Sequence, residues 1–507
     1  MKNLKWKKAG SAVLATALAG SMVLPATAYA QGEIVQLEGG TSTQTNTAPE
    51  QVFLNKYSGT VRTQNFNDNW KFYLGDASGA QTPAFDDSSW DQVNLPHDYS
   101  IDQKYNRSMD GESGYLPGGT GWYRKSFTVD KSLEGKRISI DFGGVYMNAT
   151  IYVNGKKLGT HPYGYTPFSF DITDNVKFGK ENVIAVKVDH QTPSSRFYSG
   201  SGIYRDVDFV VTDTVHVDKN GTKIETPDLK EHVDGNNVAV KVKTTVVNES
   251  ERDASVKVKH TIYPKNGTAE QAVATFESQE AVAVEKGKSK DVSADFTASG
   301  VQLWSTTTPN LYTVKTEVLM DGATVDTYET DYGFRYFAFD KNNGFTLNGQ
   351  KMKLQGVCMH HDQGALGSVA NDRSTERQVE ILKMMGCNSI RVTHNPASDE
   401  LIDACNKHGI LVIDEAFDGW VAPKNGNSND YAKWFNKEIE SDNEIMGAAD
   451  NMTWAQFDLT AMIERGQNDP AIIMWSLGNE MWEGTGGYSA AYKTAQDNLV
   501  KWAQAAD

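Results

Sequence analysis

The stretch that decides the fold is residues 388–415, NSIRVTHNPASDELIDACNKHGILVIDE. It begins with a short apolar run at 388–393, continues with a segment of helical spacing after Ser398, and returns to an apolar run after Gly409. A serine before a periodic segment and a glycine after it are typical of a helix that begins and ends at those residues. Strand, helix and strand in this order predict two parallel strands joined by a helix.

The same alternation extends over residues 337–507. Strands are predicted at 351–359, 388–393, 410–413 and 472–475, and helices at 374–385, 398–408, 454–465 and 489–506. Four β-then-α units in order predict a parallel sheet whose closed form is a (β/α)8 TIM barrel. A complete barrel has eight strands and about 250 residues, so this segment is expected to be an incomplete, first half of the barrel.

Two β-rich segments precede the barrel, which makes the predicted fold a multidomain β plus α/β protein. In residues 59–213, short alternating runs such as 183–188 and the hairpin signal Asn154-Gly155 predict a jelly-roll β-sandwich. Residues 214–336 alternate more regularly, as at 238–243, and predict an immunoglobulin-like β-sandwich. This second prediction rests on the pattern alone, because the Cys-Trp-Cys signature of that fold is missing.

The first thirty residues have the three parts of a secretory signal peptide: four lysines, an apolar run at 9–24, and the cleavage site Ala28-Tyr29-Ala30. The alternative, a membrane anchor, is too short and too interrupted by glycine and proline to span well. Cleavage after Ala30 would remove the four lysines and change the net charge from −16 to −20. Residues 31–58 predict a disordered leader. We therefore expect a secreted or cell-surface protein without a later membrane span.

The composition is that of a globular protein, with 39% hydrophobic and 22% charged residues. A net charge of −16 argues against a nucleic-acid partner, because nucleic-acid binding needs a basic surface. The three cysteines, Cys358, Cys387 and Cys405, lie in apolar runs without clustered spacing and are expected to be buried free thiols. The sequence leaves the oligomeric state undefined.

Ionisable residues follow each of the four predicted strands, and the active site of such a barrel lies at the carboxyl ends of its strands. The residues are His360-His361-Asp362, His394-Asn395, Asp414-Glu415 with Asp418 and Trp420, and Asn479-Glu480 with Trp482 and Glu483. A strand-end histidine can also serve only to cap a neighbouring backbone group. Four such strand ends at one rim nevertheless favour a functional site.

Carboxylates and aromatic residues together favour sugar chemistry. Glycosidases use a pair of carboxylates around an oxocarbenium-like transition state, and Trp420 and Trp482 are candidates for stacking on sugar rings. The alternative is a metal site whose ligands come from the set His360, His361, Asp362 and His394. The histidines lack the helical His-x-x-x-His spacing of many metal enzymes, which disfavours that alternative.

Several separated motifs resemble glycoside hydrolase family 2. The barrel motifs are GVCMHHD at 356–362, NSIRVTHNP at 388–396 and IIMWSLGNE at 472–480; the motifs of the first domain, which resemble the family's sugar-binding jelly roll, are LPHD at 95–98, GWYRK at 121–125 and SGSGIYRDV at 199–207. The resemblance covers nearly all of residues 59–507 in the family's domain order. Among members, the chain most resembles the exported multidomain β-galactosidases of Gram-positive bacteria.

The resemblance implies a retaining, exo-acting β-galactosidase that hydrolyses terminal β-D-galactosyl residues of lactose, galacto-oligosaccharides or glycans. It assigns Glu480 as the general acid/base and Asn479 as the contact to the sugar 2-hydroxyl. It assigns His394 to the glycone, and His361 as well, with His360 as the alternative. A β-glucuronidase or a β-mannosidase of the same family is the alternative specificity.

Two further candidates come from the first domain. Arg196 stands where many galactosidases place an aspartate, and it is expected either to bind sugar hydroxyls or to brace its loop. Asp98 is a weaker candidate for the same rim, with a structural role as its alternative. No cofactor is required; the family implies a bound Na⁺ or Mg²⁺ in many members, but no ligand set here is specific.

The family's nucleophile is a second glutamate on a later barrel strand. Glu483 is too close to Glu480 to serve, and Asp414 and Glu415 lie on the third strand, where the family has no nucleophile. The nucleophile is therefore expected to be absent from these residues. The chain is expected to be the amino-terminal portion of the enzyme, inactive alone, or else a sugar-binding or structural fragment.

Overall fold

The computed structural model describes residues 51–53, 61–481 and 489–507. The predicted signal peptide, most of the predicted leader, and both Trp482 and Glu483 lie outside these residues. Among the helices that are described, none is both long and apolar enough to cross a membrane.

The first domain is a β-sandwich. Its strands are β1 (Gln51–Phe53), β2 (Thr63–Asn65), β3 (Trp70–Leu74), β4 (Asp91–Val93), β5 (Gly119–Val129), β6 (Arg137–Phe142), β7 (Val145–Tyr146), β8 (Ala149–Val153), β9 (Lys156–His161), β10 (Phe168–Asp171), β11 (Glu181–His190), β12 (Gly202–Ile203) and β13 (Val207–Thr212). One sheet has the order β4-β3-β5-β11-β8-β9, with β1 also on β5, and the other has the order β10-β6-β13-β2. Inward-facing residues such as Ile140 and Val186 form one core between the sheets.

Strand β1 lies inside the segment that the sequence predicts to be disordered. It pairs in parallel with Phe127–Val129 of β5. Strand β3 pairs with β5 only along Gly121–Arg124. The edge of β5 beyond Arg124 therefore offers backbone groups that a further strand can satisfy. The expectation of disorder over 31–58 does not hold for these three residues.

The second domain is also a β-sandwich. Its strands are β14 (Val215–Glu225), β15 (Val238–Asn248), β16 (Ala254–Pro264), β17 (Ala274–Glu277), β18 (Val282–Val284), β19 (Lys288–Ala298), β20 (Tyr312–Met320) and β21 (Ala323–Tyr332). The sheets are β14-β15-β19 and β17-β16-β20-β21, with β18 on β16. Alternate residues of β15 and β20, including Val240, Val242 and Val314, are buried in a shared core. The period-two pattern thus predicts the buried face correctly.

The third domain contains a small antiparallel sheet followed by a parallel one. Its strands are β22 (Phe337–Asp340), β23 (Gly344–Leu347), β24 (Gln350–Lys351), β25 (Gly356–Met359), β26 (Ser389–Val392), β27 (Leu411–Glu415) and β28 (Ile472–Ser476); its helices are α1 (Asp372–Met384), α2 (Asp399–His408), α3 (Trp454–Gly466) and α4 (Ala490–Ala506). Strands β25, β26, β27 and β28 are parallel neighbours in this order. The four predicted βα units are therefore present.

The predicted strand at 351–359 is two strands in the structure. Lys351 pairs with β23 in the antiparallel sheet, whereas β25 begins the parallel sheet at Gly356. The side chain of Asn388 donates to the carbonyl of Lys353 at 2.8 Å and accepts from the backbone N–H of Gln355 at 2.8 Å. These bonds use the backbone groups that a continuous strand would need.

Side-chain caps set where the helices begin. Asn371, Ser398, Thr453 and Ser489 each accept a backbone N–H in the first turn of helices α1 to α4. Helix α2 ends at Gly409, whose φ of 68° is the left-handed conformation that glycine adopts without strain.

The two faces of the parallel sheet differ. Val357, Ile390 and Val392 pack against helices in a buried cluster, whereas the alternating residues Cys358 and Met474 are exposed on the other side. All three cysteines are free, but only Cys405 is buried. The expectation of buried thiols is wrong for Cys358, because its strand alternation places it on the face opposite the helices.

A long loop after β27 (residues 416–453) joins the third domain to the first. Phe417 and Tyr431 of this loop share one apolar core with Tyr163 of the first sandwich. Nε2 of the buried His161 in β9 lies 2.8 Å from Oδ1 of Asp458 in α3. This packing brings the segment after β11 over the carboxyl ends of the parallel strands.

Candidate active site

Glu415, the last residue of β27, is fully buried and accepts hydrogen bonds from three neighbouring side chains. Arg391 donates through Nε and one terminal nitrogen at 2.8 and 2.9 Å, Ser476 Oγ donates at 2.6 Å, and Nδ1 of His394 lies at 2.7 Å. Burial alone would raise the pKa of Glu415, but these bonds outweigh it and lower the pKa. The strand ends therefore hold a fixed negative charge that orients Arg391 and His394.

Asp418 is the second fixed carboxylate. Arg196 donates to both of its oxygens, at 2.8 and 3.1 Å; Lys424 Nζ lies 3.2 Å from Oδ1, and Asn479 Nδ2 donates to the same oxygen at 3.0 Å. Burial would raise the pKa of Asp418, but Arg196, Lys424 and Asn479 together lower it. Three segments far apart in the chain thus meet on one aspartate.

Asn479 is buried, and both ends of its amide have partners. Its Oδ1 accepts from Arg391 at 3.1 Å, and its Nδ2 donates to Asp418. Lys424 Nζ also donates to its backbone carbonyl. The orientation of this amide is therefore set by the two carboxylate centres on either side of it.

Glu480, the predicted acid/base, is the exposed carboxylate of the site, with 53% of its side chain accessible. Its Oε2 accepts from Nη1 of Arg196 at 3.2 Å. Its φ is 47°, a left-handed conformation that costs a non-glycine residue roughly 1 kcal/mol. At Gly478 a Cβ would lie 2.8 Å from Nε1 of Trp420, so this close approach requires glycine.

The two adjacent histidines have different surroundings. The ring of His360 lies 5.4 Å from that of His394 and 4.6 Å from that of Phe197. The ring of His361 packs 4.9 Å from Tyr165, and its burial, with Arg205 nearby, lowers its pKa well below the usual value. The structure thus places His360, the alternative, beside His394, and places His361 in the packing between domains.

Asp98 is 1% exposed and does not reach the rim. Its carboxylate accepts from the backbone N–H groups of Ser100 and Ser201 at 2.9 Å, from Tyr198 Oη at 2.5 Å, and from the N–H and hydroxyl of Ser368 at 3.0 and 3.2 Å. These five bonds tie the first domain to the loop after β25. These surroundings favour the structural alternative for Asp98 over a contact to substrate.

Trp420 is also structural. It is 5% exposed, its Nε1 donates to the carbonyl of Leu477 at 2.8 Å, and its ring lies 6.1 Å from Tyr492. Its indole is covered and supports the loop that carries Glu480, so it does not present a face for a sugar ring. The other stacking candidate, Trp482, lies outside the described residues.

The alternative metal site is not assembled in the described part of the chain. The single set of three or more potential ligand atoms within 4.8 Å of one another there is Glu376, Glu380 and His408. His360, His361, Asp362 and His394 do not form such a set. Arg373 and Lys407 already bind the carboxylates of the Glu376 set, at 2.5 to 3.0 Å.

Three residues of the site were not singled out by the sequence reasoning. The sequence does mark Arg391 as a candidate site residue, because it is a charged residue in the middle of an apolar strand. The local sequence does not mark Phe197 or Lys424, because their roles depend on loops whose course it does not define. The predicted Glu480, Asn479, His394 and Arg196 do come together.

Comparisons with known proteins agree with this architecture. The models described as "Glycosyl hydrolases family 2, sugar binding domain", "Glycosyl hydrolases family 2" and "Glycosyl hydrolases family 2, TIM barrel domain" match residues 63–213, 222–335 and 340–507. Together they define the class of protein by its domain order: a sugar-binding domain, a second family 2 domain and a TIM barrel domain. The chain belongs to glycoside hydrolase family 2.

Relatives with different specificities are similar to this chain. It is 42% identical to the β-galactosidase BoGH2A of Bacteroides ovatus, over 82% of this chain and 46% of that protein. It is 36% identical to a putative β-glucuronidase of Formosa agariphila, over 82% of this chain and 37% of that protein. The chain therefore spans about half or less of the length of these relatives.

Solved structures of the family have the same fold. A glycosyl hydrolase family 2 member from Bacteroides cellulosilyticus is 37% identical, with a TM-score of 0.80 over 88% of this chain and 55% of that chain. The β-glucuronidase of Bacteroides uniformis is 30% identical, with a TM-score of 0.72 over 88% of this chain and 51% of that chain.

Proposed function

We propose that this chain carries the acid/base half of a retaining, exo-acting β-galactosidase. The observation that carries the proposal is the exposed carboxylate of Glu480 next to the buried amide of Asn479, at the carboxyl edge of the parallel sheet. Family membership and the similarity to the Bacteroides ovatus β-galactosidase support it. In this reading Glu480 protonates the leaving oxygen and then, as a carboxylate, activates the water that releases the sugar.

The neighbouring side chains are suited to bind the glycone. Asn479 presents an amide whose orientation is fixed, as a contact to the sugar 2-hydroxyl requires if it is to strengthen in the transition state. Glu415 binds Nδ1 of His394, which leaves Nε2 of that ring to face a hydroxyl. The exposed side of Arg391 and the ring of His360 complete the same wall.

A retaining mechanism needs a second carboxylate as nucleophile. The two nearest described candidates are already engaged: Glu415 is buried beneath three donors, and Asp418 is bound by Arg196, Lys424 and Asn479. We place the nucleophile on a later strand of an eight-stranded barrel. The exposed inner face of the sheet, with Met474 40% exposed, is consistent with further strands packing there.

Galactose is the proposed glycone, with β-glucuronide as the second candidate and β-mannoside as a third. The β-glucuronidases of Formosa agariphila, Bacteroides fragilis and Bacteroides uniformis favour the second candidate by their similarity. Nitrophenyl β-galactoside, β-glucuronide and β-mannoside, tested on the gene product with its whole barrel, would separate the three. The highest kcat/KM on the galactoside is expected; a preference for either other glycoside would overturn that specificity.

The acid/base role is tested by Glu480→Gln, with the exposed Glu440→Gln as the matched control. On lactose, whose leaving group needs a proton, kcat should fall by about 10²- to 10⁴-fold. On dinitrophenyl galactoside, whose leaving group needs none, the loss in the first step should be far smaller. A fall in kcat on lactose of no more than twofold would overturn the acid/base role of Glu480.

Hydrolysis of a galactoside by residues 31–507 alone tests where the nucleophile lies. Such turnover would overturn the placement of the nucleophile on a later strand, and also the alternative of an inactive sugar-binding fragment.

We also propose that the protein is exported, on the signal-peptide pattern of residues 1–30. Mass spectrometry of protein recovered from the culture medium or the cell surface of the source organism should give a mature amino terminus at Gln31. Recovery of the intact Met1 terminus from the cytosol would contradict this.

A further inference from the structure

Arg196 lies between the first domain and the strand end that carries Glu480, and it contacts two carboxylates that differ in exposure. Its bond to Asp418 is bidentate, at 2.8 and 3.1 Å, and both side chains are 15% exposed. Nη1 of Arg196 also lies 3.2 Å from Oε2 of Glu480, whose side chain is 53% exposed. Bidentate, partly buried pairs are held far better than exposed single contacts. The guanidinium is therefore anchored on Asp418, and Glu480 is the partner that can leave.

The loop that carries Arg196 is itself fixed. Asn429 of the long loop donates through its backbone N–H to the carbonyl of Pro193 at 3.1 Å, and through Nδ2 to that of Thr192 at 3.2 Å. On the other side of Arg196, Tyr198 donates to the buried Asp98. Movement at this site is thus expected in the Glu480 side chain rather than in the arginine.

This arrangement bears on the two protonation states that the proposed reaction needs. Glu480 must hold a proton when the glycosidic bond breaks and must be a carboxylate when water attacks. A cation at 3.2 Å favours the carboxylate. The leaving-group oxygen, to receive the proton, has to approach the same carboxyl group that Nη1 of Arg196 contacts.

Resting on the proposed function, we propose that Arg196 is a positioning residue that acts as a reversible counter-ion of Glu480. Arg196 pairs with the carboxylate when the leaving-group position is empty. A substrate oxygen that occupies this position breaks the contact, and the Glu480 side chain moves away from the anchored guanidinium. Glu480 then takes a proton from solvent and transfers it to the glycosidic oxygen as the bond to the anomeric carbon breaks. When the leaving group departs, Arg196 pairs again with the carboxylate, which removes a proton from the attacking water.

The other charged groups around Glu480 fit this scheme. In the part of the chain that the structure describes, Asp418 and Lys424 lie on the long loop, and Lys424 interacts electrostatically with Glu480. The Arg391–Glu415 pair contacts Asn479, the residue next to Glu480 in the chain. Lys424 is 4% exposed and bound to Asp418 and to a backbone carbonyl, so it stays in place when the contact between Arg196 and Glu480 breaks.

The inference is tested by titrating Glu480 in the empty site, which needs no turnover. Carbon-13 NMR of glutamate δ-carboxyls, assigned by loss of a signal in Glu480→Gln, reports the pKa of Glu480 directly. Arg196→Gln should raise this pKa by about 0.5 to 1, and Arg196→Lys by less. Arg107→Gln, at an exposed arginine of the same domain, is the control and should leave the pKa of Glu480 unchanged. An unchanged pKa in correctly folded Arg196→Gln would overturn the inference.

The displacement is tested with a thiogalactoside, which binds without being hydrolysed, and with a thioglucuronide in parallel. Bound ligand should raise the pKa of Glu480 in the wild type and abolish the difference from Arg196→Gln. A difference that persists with ligand bound would overturn the displacement. If neither thioglycoside binds, the proposed function fails, while the empty-site titration still decides whether Arg196 is the counter-ion.

A kinetic readout separates this role from a merely structural one. The pH profile of kcat/KM reports groups of the free enzyme, and that of kcat reports groups of the complex. Arg196→Gln should therefore shift the alkaline limb of the kcat/KM profile to higher pH, by about 0.5 to 1 pH unit, and leave the alkaline limb of the kcat profile in place. Equal movement of both limbs would overturn the inference.

Discussion

Glu415 and Asp469 are carboxylates at opposite edges of the same parallel sheet, and their pKa values move in opposite directions. Glu415 ends β27 at the carboxyl edge, where burial would raise its pKa but His394, Ser476 and Arg391 lower it. Asp469 precedes β28 at the amino edge, where burial raises its pKa to about 7 although Asn406 donates to it at 2.6 Å. The comparison indicates that the direction in which the pKa of a carboxylate moves depends on whether its donors outweigh the effect of its burial.

The charged edge is also the edge that holds the site. Arg391 lowers the pKa of Glu415, and Arg196 and Lys424 lower that of Asp418. The donors that would face a sugar in the proposed function are thereby held in fixed orientations by these carboxylates. Preorganised charge of this kind stabilises a developing oxocarbenium ion without reorganisation during the reaction. At the amino edge, burial raises the pKa of Asp469 and so favours its neutral form.

The largest effect is expected from Glu415→Gln. The change leaves Arg391 and His394 beside a neutral amide with fewer acceptor sites, and breaking a buried ion pair in this way costs about 3 kcal/mol of unfolding free energy. Urea unfolding of the variant and of the exposed control Glu440→Gln measures it. A cost equal to that of the control would show that the buried charge contributes no stability.

Asp98→Asn should have the next largest effect, because Asp98 is buried with neutral donors only. The new amide nitrogen would face N–H or O–H donors of Ser201 or Ser368, at a cost of about 2 kcal/mol. The melting temperature should fall, whereas the affinity for galactoside should stay within about twofold. A large loss of affinity in folded protein would restore Asp98 as a substrate contact.

Local patterns predict the sheet but not the far side of the site. Residues 388–415 contain the cap, the helix stop and both strands, so β26, α2 and β27 follow from neighbouring residues. Asp418, by contrast, meets Arg196, which is 222 positions away in the chain. Such a contact depends on how two domains pack, and no short motif encodes it.

Local sequence does not decide the roles of His361 and Asp98, for the same kind of reason. Strand alternation ends at Met359, so period two no longer decides whether His360 or His361 points to the rim. The role of Asp98 depends on Ser368, 270 positions later. In each case the residue type was informative, and its partner was supplied by another domain.

A smaller effect, and one that depends on pH, is expected from Asp469→Asn. Because the folded pKa of Asp469 is raised, the folded state binds more protons than the unfolded state between about pH 4 and 7. Its contribution to stability is therefore present at low pH and lost as the pH rises through 7. Asp469→Asn should remove about 1 kcal/mol of the decline between pH 6 and 7.

Urea unfolding at pH 5, 6, 7 and 8 measures this decline, with the exposed Asp450→Asn as the control. If the unfolding free energies of the wild type and of Asp469→Asn change in parallel with pH, Asp469 is ionised in the folded protein over this range. That result would remove the contrast with Glu415, because both edges would then carry charge.

The smallest effect is expected from Asp497→Asn in α4. Asp497 pairs with Lys493 at 2.9 Å, as close as the contacts between Arg391 and Glu415, but both side chains are more than 60% exposed. An exposed i, i+4 pair is worth about 0.3 to 0.5 kcal/mol and is screened by salt. The unfolding free energy should change by no more than this, and the change should vanish in 1 M NaCl. A cost near that of Glu415→Gln would mean that contact distance, rather than burial and the number of donors, sets the strength of these carboxylate sites.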